Sequence, residues 1–82
     1  MSKNTQPATS WPNIEELIDN GGNVSIGDIP PVPCAAIAAD ESNMLAALLR
    51  REGESLVDLL NRLDEAVGKA FDDEIYTDEI NG

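Results

Sequence analysis

Sixteen carboxylates, five basic side chains, one cysteine and no histidine are what this chain of 82 residues has for chemistry. Paired carboxylates can act as general acid and base, but only where a pocket pushes their pKa values apart. No such pocket is marked in the sequence. Histidine, the usual base near neutral pH, is missing, and no glycine-rich loop leads into a helix to cradle phosphate. Ser55 is accounted for as a helix cap. Cys34 has no basic neighbour in the sequence to activate its thiol and reads as a buried structural side chain. A single cysteine also excludes an intramolecular disulfide and a multi-cysteine zinc site within one chain. The densest acids lie in FDDEIYTDEING, and carboxylates so close together invite calcium. The segment lacks the glycine and the terminal Glu of an EF-hand loop. The expectation is a protein that is not an enzyme and holds no cofactor or metal.

The charge is more informative. Net charge is −11, and no basic residue lies between Lys3 and Arg50 or after Lys69. Affinity for a phosphate backbone comes from Lys and Arg displacing counterions, so direct nucleic-acid binding is disfavoured, as is an anionic membrane surface. A basic protein surface is the favoured counterpart. The same acidity would also serve solubility alone. The segment after Lys69 has the largest uncompensated cluster. Asp72, Asp73, Glu74, Asp78 and Glu79, with Tyr76 and Ile75 for apolar contact, form the candidate partner-binding strip; the alternative is a strap returning to the domain. The N-terminus MSKNTQPATS lacks the apolar core of a signal peptide, and no apolar run approaches the length of a membrane span. The expectation is a cytoplasmic protein.

These residues need elements to carry them. Leu56, Leu60, Leu63, Val67 and Ala70 recur at helical spacing, widened by Leu59, Ala66 and Phe71 into a stripe fit to pack on other helices. Ser55 and Asp58 resemble a capping box at its start. On the opposite face Asp58–Arg62 and Glu65–Lys69 stand as acid-before-base pairs at i, i+4. Upstream, Met44, Leu45, Leu48 and Leu49 fit one side of a shorter helix, Met44–Glu52, closed by Gly53. The two helices would form a central αα-unit. A short helix starts at Pro12 or Asn13 with Trp11, Ile14, Leu17 and Ile18 inward, and Gly21–Gly22 stop it. NVSIGDIPPVP reads as an extended, proline-containing strap across the helices. CAAIAA, Cys34–Ala39, either begins the central helix early or forms a short strand followed by an Asp40 or Ser42 cap. The fold expected is mainly α: a disordered arm at 1–10, a helical domain at 11–71 and an acidic tail at 72–82. A core this small with so sustained a stripe suggests a homodimer, with Leu56, Leu60, Leu63 and Val67 near the interface or in the core.

A short strand at CAAIAA, a helix ending RREGES and a longer amphipathic helix resemble the ribbon-helix-helix family over Cys34–Phe71. That resemblance implies intertwined dimers and a regulator or antitoxin-type role. The family's strand reads the major groove with polar and basic side chains; this one would offer Ala, Ile and Cys, so the implied DNA binding does not carry over. In style the chain is also similar to small acidic phage and mobile-element proteins, which include anti-CRISPR proteins and nuclease inhibitors. The leading functional expectation is a protein-interaction module that binds a basic surface, such as a nucleic-acid site that it blocks as a DNA mimic. The alternatives are the dimeric regulator and a structural subunit of a larger complex.

Overall fold

A computed structural model of the chain describes residues 10–30 and 32–80; the arm expected at 1–10 lies, Ser10 apart, outside them. Helix α1 spans Pro12–Asp19, followed by strands β1, Asn23–Ile29, β2, Val32–Ala39, and β3, Met44–Leu49; helix α2, Leu56–Asp73, and strand β4, Thr77–Asp78, complete the described residues. The sheet order is β1-β2-β3-β4, with β1, β2 and β3 antiparallel and β4 parallel to β3. The domain is therefore α+β, and the mainly α expectation is corrected. The first helix of the expected αα-unit is strand β3, the strap supplies β1 and the start of β2, and CAAIAA takes the strand alternative as the rest of β2. The ribbon-helix-helix resemblance falls with it, because a strand stands where that family has its first helix.

The physical reason lies in MLAALL and CAAIAA. Alanine and leucine favour helix locally, and a fully buried strand shows no alternation, so a short apolar run cannot be told from helix by period alone. Burial decides. Ala36 and Ala38 of β2 pair with Leu48 and Ala46 of β3, and these four side chains face the helices in one core with Leu59, Leu63 and Val67. The reverse side of the same strands places Ala35 and Ala47, which are equally buried. A lone helix cannot bury apolar side chains all round, whereas a central strand does so with both faces. Leu45 is the extra residue where the register shifts between Ala38 and Ala39, and it joins the helix-side core.

Turn chemistry completes the hairpin. Asp40 Oδ1 accepts from the backbone N–H groups of Ser42 and Asn43 at 2.8 and 2.6 Å, and the Asp40 N–H donates to the Asn43 carbonyl. The expected cap is real, but it closes a β2–β3 turn, not a helix start. These two backbone donors hold the Asp40 carboxyl below its ordinary range. Pro33 is compatible with β2 because it precedes the first residue paired to β3, Ala35. Gly53, expected to close a helix, instead has φ +79° in the turn after β3.

Both end helices form where the sequence places them. The Ser55 hydroxyl accepts from the Asp58 N–H at 3.0 Å to start α2. At the end of α1, Gly21, at φ +96°, allows its N–H and that of Gly22 to return to the carbonyls of Ile18 and Leu17. The start of α1 has no local cap, since Trp11 offers none. Asp64 of α2 takes that role: its Oδ1 accepts from the N–H groups of Asn13 and Ile14 at 2.9 and 3.0 Å, and Asn13 Nδ2 donates to Oδ2. One turn on, Gly68 lets Asn13 approach, because a Cβ there would sit 2.7 Å from Asn13 Nδ2. Trp11 Nε1 donates to Asn61 Oδ1 at 2.8 Å. Asn61, Asp64 and Gly68 thus form one docking stripe for α1. Asp64 is only 9% exposed, so Asp64→Ala leaves buried donors unpaired and should cost about 1–3 kcal/mol. Denaturant unfolding will measure the loss; Asp64→Asn, which keeps an acceptor, should recover part of it.

Candidate functional site

The acidic C-terminal segment is fixed to the domain through one guanidinium. Arg62 of α2 donates from Nε to Glu54 Oε2 at 2.7 Å, from Nη2 to Glu54 Oε1 at 2.9 Å and the Leu49 carbonyl at 2.8 Å, and from Nη1 to Glu79 Oε2 at 3.0 Å. Glu79 Oε1 accepts from the Leu49 N–H, and the Glu79 N–H donates to the Ala47 carbonyl. Arg62 therefore ties the end of β3, the turn before α2 and the chain after β4. The Asp58–Arg62 pair expected from spacing does not form; Arg62 turns to Glu54 and Glu79. The Glu54 side chain is 8% exposed. Its hydrogen bonds from Arg62, then from the Arg51 N–H, hold its carboxyl down to about 2, and Glu54 in turn raises the Arg62 pKa.

The residues expected to bind a partner divide accordingly. Asp72 and Asp73 end α2 exposed, and Glu74 follows in a left-handed conformation at φ 57°. Ile75 and Tyr76 are exposed. Asp78 lies in β4, with its Oδ1 accepting from the Ile80 N–H, and Glu79 belongs to the Arg62 network. The segment is a strap over Thr77–Glu79 and an exposed acidic turn over Asp72–Tyr76. On the leucine stripe, Leu63 and Val67 are fully buried against the sheet, Leu60 is partly buried, and Leu56 is 48% exposed.

The two helices also present exposed carboxylates. Glu15, Glu16 and Asp19 of α1 and Asp58, Glu65 and Asp72 of α2 are all exposed. Among the described basic residues, Arg50, Arg51 and Arg62 gather around Glu54 and Glu79, and Lys69, exposed on α2, lines the cleft beside Arg62. Two clefts border the Arg62 network. One, of about 160 Å³, lies between α2 and β4 and is lined by Arg51, Arg62, Lys69 and Glu65 among others. The other, about 380 Å³, has an apolar floor of Pro33, Cys34 and Leu49. Cys34 is half-buried there. Among the described residues, no group of His, Cys, Asp and Glu is placed to hold a metal ion, and no helix is long and apolar enough to cross a membrane. The chain matches no family model, curated protein or solved structure.

Sequence reasoning missed Asp64, Asn13, Glu54 and Arg62 as joints between segments. Periodicity places Asp64 and Gly68 beside the stripe, but it does not say that another helix begins against them.

Glu54 yields a pH prediction. Its folded pKa of about 2 lies below the ordinary 4.5, so its contribution is complete above pH 4.5 and is lost as pH falls toward 2. The stability difference between the wild type and Glu54→Gln should hold steady from pH 7 to 5 and shrink between pH 4.5 and 2. Urea titrations across that range, with a difference that stays flat to pH 2, would show that Glu54 has no such linkage.

Proposed function

We propose that the protein is a small acidic interaction module that docks on a basic protein surface through the outer face of α1 and α2 and the Asp72–Tyr76 turn. The observation supporting this is charge segregation. Six exposed carboxylates line the helical layer, while three of the four described basic residues surround Glu54 and Glu79. A surface with one sign of charge raises encounter rates with an opposite patch and gives specificity more than raw affinity. Where that patch is a nucleic-acid site, the module blocks it.

Charge-for-charge imitation of duplex DNA is not how it would do so. Asp58, Glu65 and Asp72 follow one another at seven-residue intervals, roughly 10.5 Å along the helix, whereas duplex DNA presents one charge per about 1.7 Å. The α1 acids and the C-terminal turn add charge beside this row without reaching that density. The match is to a few separated Lys or Arg side chains, with Tyr76 and Ile75 supplying apolar contact.

The test compares the wild type with a variant carrying Glu15→Gln, Glu16→Gln, Asp19→Asn, Asp58→Asn, Glu65→Gln and Asp72→Asn, whose side chains make none of the hydrogen bonds that join Arg62 or Asp64 to their partners. Capture from nuclease-treated lysate of the native host at low salt should enrich basic proteins with the wild type and lose them with the variant. For the leading partner, association should slow in the variant and its salt dependence should flatten. Equal capture and an equal salt slope would overturn the reading. Release of the partner by added duplex DNA would identify the blocked surface as a nucleic-acid site.

A further inference from the structure

Strand β1 is an edge of the sheet with no partner on its outer side among the described residues. Such an edge presents a row of backbone donors and acceptors, which proteins usually shield with charge, proline, bulges or short length. Here the bulge at Gly27–Ile29 and Asp28 protect only the far end, leaving Asn23–Gly27 unshielded. The edge is also nearly free of charge: between Asp19 and Asp40 the sequence has one charged residue, Asp28.

We infer that a second copy of this chain pairs with β1, antiparallel about a two-fold axis at Ser25. Such an axis, normal to the sheet, keeps all four helices on one face and sets opposed residues at equal distances from the centre. Centred on Ser25, Val24 lies opposite the partner's Ile26, Asn23 opposite the partner's Gly27, and Ser25 opposite its own copy. Val24 and Ile26 are on the helix side of the sheet, since they pair with the core residues Ala38 and Ala36. Two Val–Ile pairs then form across the junction, the kind of cross-strand contact that stabilises sheets. Centring on Ile26 instead would set Asp28 against Val24, and centring on Val24 would set Ile26 against glycine.

A second observation falls at the same edge. Asn13 faces α2, and Ile18, about 140° further round α1, lies on the flank turned away from α2. Ile18 is 51% exposed and Ile26 40% exposed. Two chains of charge −11 repel, and this uncharged edge with its isoleucines is where they can meet at least cost. A five-residue ladder is a small interface, below about 1,200 Å² in total, so the dimer should exchange with monomer at micromolar concentration. Added salt should strengthen it by screening the repulsion, the opposite of its effect on docking to a basic partner.

Sedimentation equilibrium of the full chain should show a monomer–dimer equilibrium that Ile26→Lys weakens by at least about tenfold. Register is tested with cysteine in a Cys34→Ala background. Ser25→Cys should crosslink to its copy on oxidation. Asn23→Cys should not, because its copy would be four residues away along the strand, about 14 Å. A monomer at all concentrations and salt levels would overturn the inference. So would a dimer indifferent to Ile26→Lys, or crosslinking at Asn23→Cys as fast as at Ser25→Cys.

Discussion

The fold depends on α2 lying flat on a floor of alanines. Ala36, Ala38 and Ala46 project only a methyl group toward the helix, so Leu59, Leu63 and Val67 can sink against the strands until no surface remains exposed. Each fully buried aliphatic side chain of this size contributes roughly 1.5–3 kcal/mol. The domain forms its core with no fully buried aromatic ring; Trp11 only packs against the core's edge. Larger side chains on β2 or β3 would lift α2, and the Arg62 and Asp64 contacts with it, since both start from α2. Small floor residues and precise polar joints are two parts of one arrangement.

Those joints determine where the surplus charge lies. Arg62 would neutralise Asp58 if α2 were an isolated helix, as i, i+4 spacing leads one to expect. In the folded chain its donors go to Glu54, Glu79 and the Leu49 carbonyl. Arg50 and Arg51 are drawn to the same place, Arg50 through the Glu54 carbonyl and Arg51 toward Glu79. Structural use of three of the four described cations thus leaves Lys69 as the one remaining counter-charge to the exposed carboxylates of both helices. Acids held within the structure, Asp64 as a cap supplied across helices and Glu54 and Glu79 as clamps, are distinguished from the exposed ones by their partners. Composition alone does not separate the two groups.

What the sequence disclosed and what it concealed follow from the range of the forces involved. Helix α2 was legible because its period, its Ser55 cap and its length are local properties. Helix α1 was legible through Pro12 and the Gly21–Gly22 stop. Strand β3 was not, and β2 was legible only as one of two readings, because Ala and Leu carry a local preference for helix that only long-range pairing and two-sided burial override. CAAIAA could be read either way, and the Asp40 cap was found without the turn it closes. The candidate tail residues were identified by charge alone, which could not separate Glu79, held by Arg62, from Asp72 and Asp73 in solvent. The apolar character of Val24 and Ile26 was visible; that they lie on an edge strand was not, since edge position is a property of the sheet order.

The two edges of that sheet are built differently, and the difference limits assembly. Edge β1 offers five uncharged residues before its bulge and has isoleucine on both strand and neighbouring helix. Edge β4 is two residues long, sits parallel to β3, and is followed at once by Glu79 and the Arg62 network. A strand that short cannot template a further ladder, and its acids would face those of any approaching copy. Pairing through β1 about a two-fold axis uses up the permissive edge of both chains and leaves only the restrictive ones outside. The inferred pair would be closed and isologous, because open-ended growth would need a second edge willing to pair. The acidic helical layers of both copies then share one face of a continuous sheet. In such a pair the charged surface offered to a basic partner would be doubled.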